Sequence, residues 1–300
     1  MPIIDFQTQL FSERLAQALP PVARKWGKFW SKPASRALHR VQPFVRFLHP
    51  IGKGIVGEIG ALAPLSHLLF ESSLEDLTDS MEQSHIDRSV VMGEFAGDDP
   101  RFISTLRIGR LPATEEKNLA TKFEAAHAAG TRILQIHPAA DGLDPSTNAY
   151  QAQVSAASER GWIIVLQTGT PQSHIVYRRP GFADITRFRK TFSEHPNTPF
   201  VIARMNFDRP DLALDFADLF PNLYLETSWQ PTETIGEAVR RVGSERLLFG
   251  SDWPILGNNQ KVCIRRIRDA AESQLITSSD SERILGLNAE ALLRKVGESR

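Results

Sequence analysis

The chain holds one cysteine among its 300 residues, Cys263, which excludes an intrachain disulfide and a cage of cysteine ligands around a metal. It has no net charge, since 35 Lys and Arg balance 35 Asp and Glu. No global field therefore draws it to nucleic acid or to an anionic membrane surface. No apolar run reaches the ~18 residues that a membrane-crossing helix requires, so no integral membrane segment is expected. The opening MPIIDFQTQL lacks the basic and apolar regions of a secretory signal, and the expected location is cytoplasmic. No GxGxxG or GxxxxGK[ST] follows a strand-like run, which removes the common nucleotide-binding sites of open α/β sheets. Internal repeats and low-complexity linkers are absent as well.

One sign of charge is also missing locally. Between Arg14 and Gly57 there is no Asp or Glu, yet nine basic residues lie there, from Arg14 and Arg24 to Arg46 and Lys53. Trp26, Phe29 and Trp30 interleave with the lysines at spacings of three and four, one face of a helix. Such a segment reads as a solvated helical insertion packed on the acidic remainder, as a lid, or as a membrane-interface face. Pro33, Pro43 and Pro50 break it into short pieces, and the lid is the favoured reading.

What the sequence does have is regular alternation. Short apolar runs read as strands near Pro2–Phe6, Ser89–Met92, Ile103–Arg107, Arg132–Ile136, Trp162–Leu166, Phe200–Ala203, Leu223–Glu226 and Leu247–Gly250. Continuous runs such as WIIVL are the pattern of a parallel strand buried on both faces. Helical patterns fall between them, including Leu74–Ser84, Glu115–Ala129, Tyr150–Arg160, Asp211–Leu219 and Gly236–Val242. Gly130 and Gly161 stand where a helix end needs positive φ. Eight strands alternating with helices predict an α/β fold, a (β/α)8 TIM barrel of one domain over residues 1–300. Residues 11–70 are expected to form a basic helical insertion after the first strand. A doubly wound open sheet is the alternative from pattern alone.

In a TIM barrel the chemistry sits at the C-terminal strand ends. Those ends carry Gln7 and Gln9, Gln135 and His137, Gln167, Arg204, Trp229, and Asp252. Polar groups in register at five or more strand ends exceed what loop solvation requires. Ser228 and Ser251 have no partnered histidine at a recognisable spacing, so no serine nucleophile is read. His137 has the unperturbed pKa of a general acid or base, although the neighbouring Pro138 also suits a structural histidine in a tight turn. Trp229 is a candidate pocket wall, whereas Trp253 reads first as core.

The segments RLLFGSDWP (Arg246–Pro254), IDRSVVMG (Ile86–Gly93), ILQIHPAADGLDP (Ile133–Pro145), VLQTGTP (Val165–Pro171), FPNLYLETS (Phe220–Ser228) and RILGLNAEALL (Arg283–Leu293) stand in an order that resembles the amidohydrolase superfamily, in its branch of small metal-dependent TIM-barrel hydrolases and decarboxylases. The resemblance spans nearly the whole chain. It implies a small-molecule substrate at the barrel mouth and a homodimer. The departures carry equal weight. The strand-one His-x-His pair of the family falls on Gln7 and Gln9, the strand-five His on Gln167, the strand-six His on Arg204, and a frequent strand-four Lys on Gln135. Asp252 keeps the family's strand-eight aspartate, and His137 matches another frequent family residue.

A glutamine carbonyl is a weak neutral ligand for zinc-like ions, and a guanidinium keeps its proton and repels a cation. The expectation is therefore a site with no metal and no other cofactor, in which Arg204 forms a bidentate pair with Asp252 inside a ring of amides. Two functions remain open. One is a metal-independent hydrolase or lyase acting on a small carboxylated, lactone or amide substrate. In it Asp252, Arg204 and His137 are the candidate catalytic residues, and Gln7, Gln9, Gln135, Gln167 and Trp229 line the substrate. The other is a catalytically silent relative that binds a ligand or a partner protein.

Overall fold

A computed structural model describes residues 1–10, 72–93, 99–110, 118–169, 177, 179–255 and 259–297. The basic segment, with Trp26, Phe29 and Trp30 and the proposed lid, lies outside the described residues, as does His174. Eight parallel strands run in sequence order: β1 (Ile4–Gln9), β2 (Arg88–Met92), β3 (Phe102–Ser104), β4 (Ile133–Ile136), β5 (Ile163–Leu166), β6 (Phe200–Ile202), β7 (Leu223–Glu226) and β8 (Leu247–Leu248). β1–β2–β3 form one ladder and β4 through β8 another. Two parallel bridges join them, Leu106 with Leu134 and Thr8 with Trp253. At the second seam Phe6 N donates to the Phe249 carbonyl at 2.8 Å, and Gln9 N donates to the Trp253 carbonyl at 2.7 Å. The architecture is the eight-stranded α/β barrel expected from the alternation of apolar runs and helical patterns.

Alternation along the strands divides the buried apolar side chains in two. One set includes Leu134, Ile164, Ile202 and Leu225 and packs outward against the helices. The other includes Ile4, Phe6, Val90, Ile133, Val165, Val201 and Leu248 and fills the barrel interior. Helices lie over the segments where the sequence places them, and the short ones at Pro138–Asp141, Arg189–Glu194 and Ser278–Glu282 add to these. α1 (Leu74–Ser84) opens with a capping box between Ser73 and Asp76. α2 (Leu119–Ala128), α3 (Pro138–Asp141), α4 (Asn148–Glu159), α5 (Arg189–Glu194), α6 (Pro210–Leu219) and α7 (Thr232–Val242) fill the crossovers. Gly130 at φ 88° and Gly161 at φ 66° adopt the conformations expected of them. α8 (Asn259–Glu272), α9 (Ser278–Glu282) and α10 (Asn288–Gly297) complete the chain.

β1 departs from the sequence expectation in a way that shapes the mouth. The strand runs on to Gln9 instead of ending at Phe6, and its pairing register with β2 shifts between Asp5 and Thr8. A strict two-residue alternation would set Gln7 opposite to Phe6. The bulge re-aims the strand, so that Ile4 and Phe6 stay in the inner core while Gln7 and Gln9 reach the inner face at the mouth. Asp5 points outward instead. It accepts from Ser251 Oγ at 2.6 Å, Ser251 N at 3.0 Å and Gln260 Nε2 at 3.0 Å. That clamp fixes the strand-eight end just before Asp252.

The opposite end of the barrel is covered by α10, whose Ala289, Leu292 and Val296 join the inner cluster. Just before it a π turn, Arg283–Leu287, runs so close to the start of β1 that a Cβ on Gly286 would lie 1.8 Å from the Pro2 carbonyl oxygen. Backbone cannot move aside as a flexible side chain does. Gly286→Ala should therefore lower unfolding stability by about 1–3 kcal/mol, the usual cost of overpacking, read as a lower urea midpoint; an unchanged midpoint would show that this seam is not tight.

Candidate active site

Asp252 lies at the centre of the mouth, 1% exposed, with a positive φ of 55°. Its backbone N–H donates to the Gln7 carbonyl at 2.8 Å, which fixes it against β1. Four donors from three directions meet its carboxylate. Oδ1 accepts from Gln9 Nε2 at 2.6 Å and Gln7 Nε2 at 3.2 Å. Oδ2 accepts from Trp229 Nε1 at 2.9 Å and from Arg204 Nη1 at 3.4 Å. Gln7 and Gln167 hold each other by reciprocal amide bonds, both 3.2 Å. Six residues predicted from the strand ends thus form one connected set: Gln7, Gln9, Gln167, Arg204, Trp229 and Asp252. Gln135 is buried at the end of β4, but its side-chain Oε1 has no partner among the described residues.

Arg204 does not form the bidentate pair expected of it. A single nitrogen, Nη1, reaches Asp252, while Nε and Nη2 are buried with no partner among the described residues. The reason is backbone. β6 stops at Ile202, and Arg204, Met205, Asn206 and Phe207 all take positive φ, at 55°, 46°, 63° and 55°. Non-glycine residues rarely adopt that conformation, and such strain persists only where surroundings over-determine it. Here Gln230 Nε2 donates to the carbonyls of Arg204 at 2.7 Å and Phe207 at 3.0 Å. Glu226 Oε2 accepts from Arg204 N at 2.8 Å. Gly169 leaves the room this run needs, since a Cβ there would lie 2.0 Å from the Asn206 carbonyl oxygen.

Glu226 was not singled out from the sequence. It ends β7 fully buried, accepts from Ser228 N and from Ser228 Oγ at 2.9 Å, and abuts Gly250, whose absent Cβ would meet it at 2.2 Å. Alternation with Leu223 and Leu225 was the available signal, because it turns Glu226 into the barrel. Burial pushes its carboxyl from 4.5 up to about 8, and the nearby charge of Asp252 adds to the rise, so it is protonated at neutral pH.

His137 ends β4 buried, with its Nδ1 accepting from Ala140 N at 3.4 Å as the N-cap of α3. Burial first, then the positive charges of Arg107 and Arg204, hold it well below 6.5, so the ring is neutral. With Nδ1 accepting, the proton sits on Nε2. Tyr177 packs on His137 with ring centroids 5.4 Å apart, and its phenol is pushed up by burial, with Arg204, Asp252 and Arg107 all acting on it. Arg107 donates to Asp141 at 2.8 Å. Strand-end position was a signal for Arg107; for Tyr177 the sequence offered none. Trp253 is buried in the outer core, as expected of it.

The donor set does not fit a metal ion. Around the retained aspartate stand a guanidinium, an indole N–H and two amide N–H groups, all donors, where a cation needs lone pairs. Among the described residues no cluster of three or more His, Cys, Asp or Glu could hold one. Among them, too, no helix is long and apolar enough to cross a membrane.

Fold and site define a TIM-barrel protein with a polar, strand-end mouth. The amidohydrolase family model matches residues 85–295, and the chain belongs to that family. A search of curated proteins finds no match. Solved structures similar to it include an uncharacterized TIM-barrel protein from Bordetella bronchiseptica, 17% identical, with TM-score 0.67 over 99% of this chain and 100% of that one. A 2,6-dihydroxybenzoate decarboxylase from Rhizobium is 13% identical, with TM-score 0.62 over 98% and 99%. A probable 2-pyrone-4,6-dicarboxylic acid hydrolase from Acinetobacter baumannii is 12% identical, with TM-score 0.56 over 98% and 100%. At these identities the likeness shows the fold alone.

Buried acids make the fold sensitive to alkali. The folded chain keeps a proton on Glu226 up to about pH 8, whereas the unfolded chain releases it near 4.5. The folded state then binds more protons, so stability is greatest below 4.5 and falls as pH rises toward about 8. Asp5, raised by burial from 3.8 to about 6, adds the same sign over a lower window. Glu226→Gln should flatten the fall between pH 6 and 8, measured by urea unfolding at each pH; an undiminished slope in the variant would remove Glu226 as its source.

Proposed function

We propose that the barrel mouth is a metal-independent catalytic site for a hydrolase or lyase step on a small organic substrate. The observation that carries this reading is the guanidinium of Arg204 beside Asp252, which supplies the positive charge that a metal supplies in relatives. In a buried site such fixed charges and dipoles act on a reacting group without reorganising. Arg204 would polarise a carbonyl or bind a carboxylate. Asp252 would orient that cation and serve as its electrostatic partner; as a base it would have to release one of its four donors. His137, neutral with Nε2–H, would donate a hydrogen bond or pass a proton. Gln7, Gln9 and Trp229 fix Asp252, and with Gln135 and Gln167 they would face the substrate, which this reading takes to be a carboxylated compound, a lactone or an amide.

A catalytically silent binding protein is the second reading. It is favoured by the saturation of Asp252, whose two oxygens are both fully engaged. A cytoplasmic location and, on family resemblance, a homodimer belong to the proposal.

Elemental analysis of protein purified without chelator should find zinc, manganese and iron well below one ion per chain; one tightly held ion per chain would sink the metal-free reading. On a panel of lactones, amides and aryl carboxylates, Asp252→Asn should lower turnover by about 10²–10⁴-fold, the range for loss of a positioned acid–base or charge partner. No turnover in either protein would leave the binding-protein reading standing, and equal turnover in both would remove Asp252 from the catalytic set.

A further inference from the structure

We propose that Arg204 presents an open fork for a carboxylate, and that the ligand of this mouth is an organic acid held by that carboxylate as an anchor rather than as the group that reacts. The inference deepens the metal-free reading and rests on it.

A guanidinium offers its hydrogens along edges. With Nη1 committed to Asp252, the Nε–H and the neighbouring Nη2–H point the same way, side by side, at the spacing of two carboxylate oxygens. Among the described residues those two nitrogens have no hydrogen-bond partner, on a side chain only 5% exposed. Every side-chain nitrogen of Gln7, Gln9, Gln167 and Trp229 in the same network is engaged. A buried charged donor left unmet costs more than a neutral one. The site therefore has a specific deficit: an acceptor with two oxygens and a negative charge.

The charge count agrees. Asp141 is already met by Arg107, and Glu226 is neutral at pH 7, so neither acid competes for Arg204. Asp252 meets it through one long contact at 3.4 Å. A bound carboxylate would complete the guanidinium on the side away from Asp252.

The same fork argues about what it does not do. Two charge-assisted bonds stabilise a carboxylate in the ground state, and loss of CO₂ would carry that charge away from the arginine. Binding that is stronger in the ground state than in the transition state slows a reaction. The anchored carboxylate is therefore retained through turnover, and any bond that breaks lies elsewhere in the ligand.

The test is titration calorimetry of the full chain with benzoate and with its neutral isostere benzamide, in wild type, Arg204→Lys and Arg204→Gln. Wild type should bind benzoate about tenfold to a hundredfold more tightly than benzamide, the range for charge-assisted hydrogen bonds. Arg204→Lys, which keeps the charge but loses the fork, should lose most of that preference, and Arg204→Gln all of it. Equal affinity for the two probes, no benzoate binding at millimolar concentration, or full preference in the Lys variant would each overturn the proposal. The wild-type comparison stands even if a variant fails to fold. Carboxyl-labelled aryl acids should release no labelled CO₂; its release would overturn the anchoring role. Acid binding without turnover supports the fork and counts against catalysis. Turnover of neutral lactones without acid affinity does the reverse.

Discussion

A carboxylate removed from water keeps its charge only where donors and a cation meet it at hydrogen-bond distance, and everything at this barrel mouth is arranged around that requirement at Asp252. The four donors come from β1, from the turn after β7 and from the strained run after β6. The groups that place those donors lie one layer further out: Asp5 clamps Ser251, Gln167 holds Gln7, and Glu226 and Gln230 hold the backbone of Arg204. Breaking a buried pair from one side costs about 3–5 kcal/mol because the remaining charge is left unmet. The mouth is thus a single electrostatic unit with the aspartate as its fixed point.

Much of this was legible in the sequence because barrel strands announce themselves as short continuous apolar runs, and because strand ends are where such folds keep polar groups. Gln7, Gln9, Gln167, Arg204, Trp229 and Asp252 were all found by position, before any coordinate. The family likewise followed from segments in order. What the sequence hid was set by tertiary geometry. Period-two reasoning cannot foresee the bulge in β1, which lets Phe6 fill the core while Gln7 still reaches the mouth. Nor can it foresee four consecutive positive φ angles after β6, which turn Arg204 so that one nitrogen meets Asp252 instead of two. Tyr177 arrives from a loop, and loops carry no periodicity to read.

Glu226 illustrates a different kind of illegibility. Its position could be inferred from alternation, but its significance depends on Gly250 having no side chain and on Arg204 N pointing toward it. Such a group acts through the backbone of its neighbours. Residue type at a strand end indicates where chemistry can occur; which members hold the others in place is a property of the packed assembly.

The reciprocal amide pair between Gln7 and Gln167 has a consequence for how this barrel could change over time. Each amide satisfies the other, and Gln7 also serves Asp252, so replacing either one alone orphans a buried partner. Contacting residues of this kind couple non-additively. Replacing both together would therefore cost less than the sum of the two single replacements.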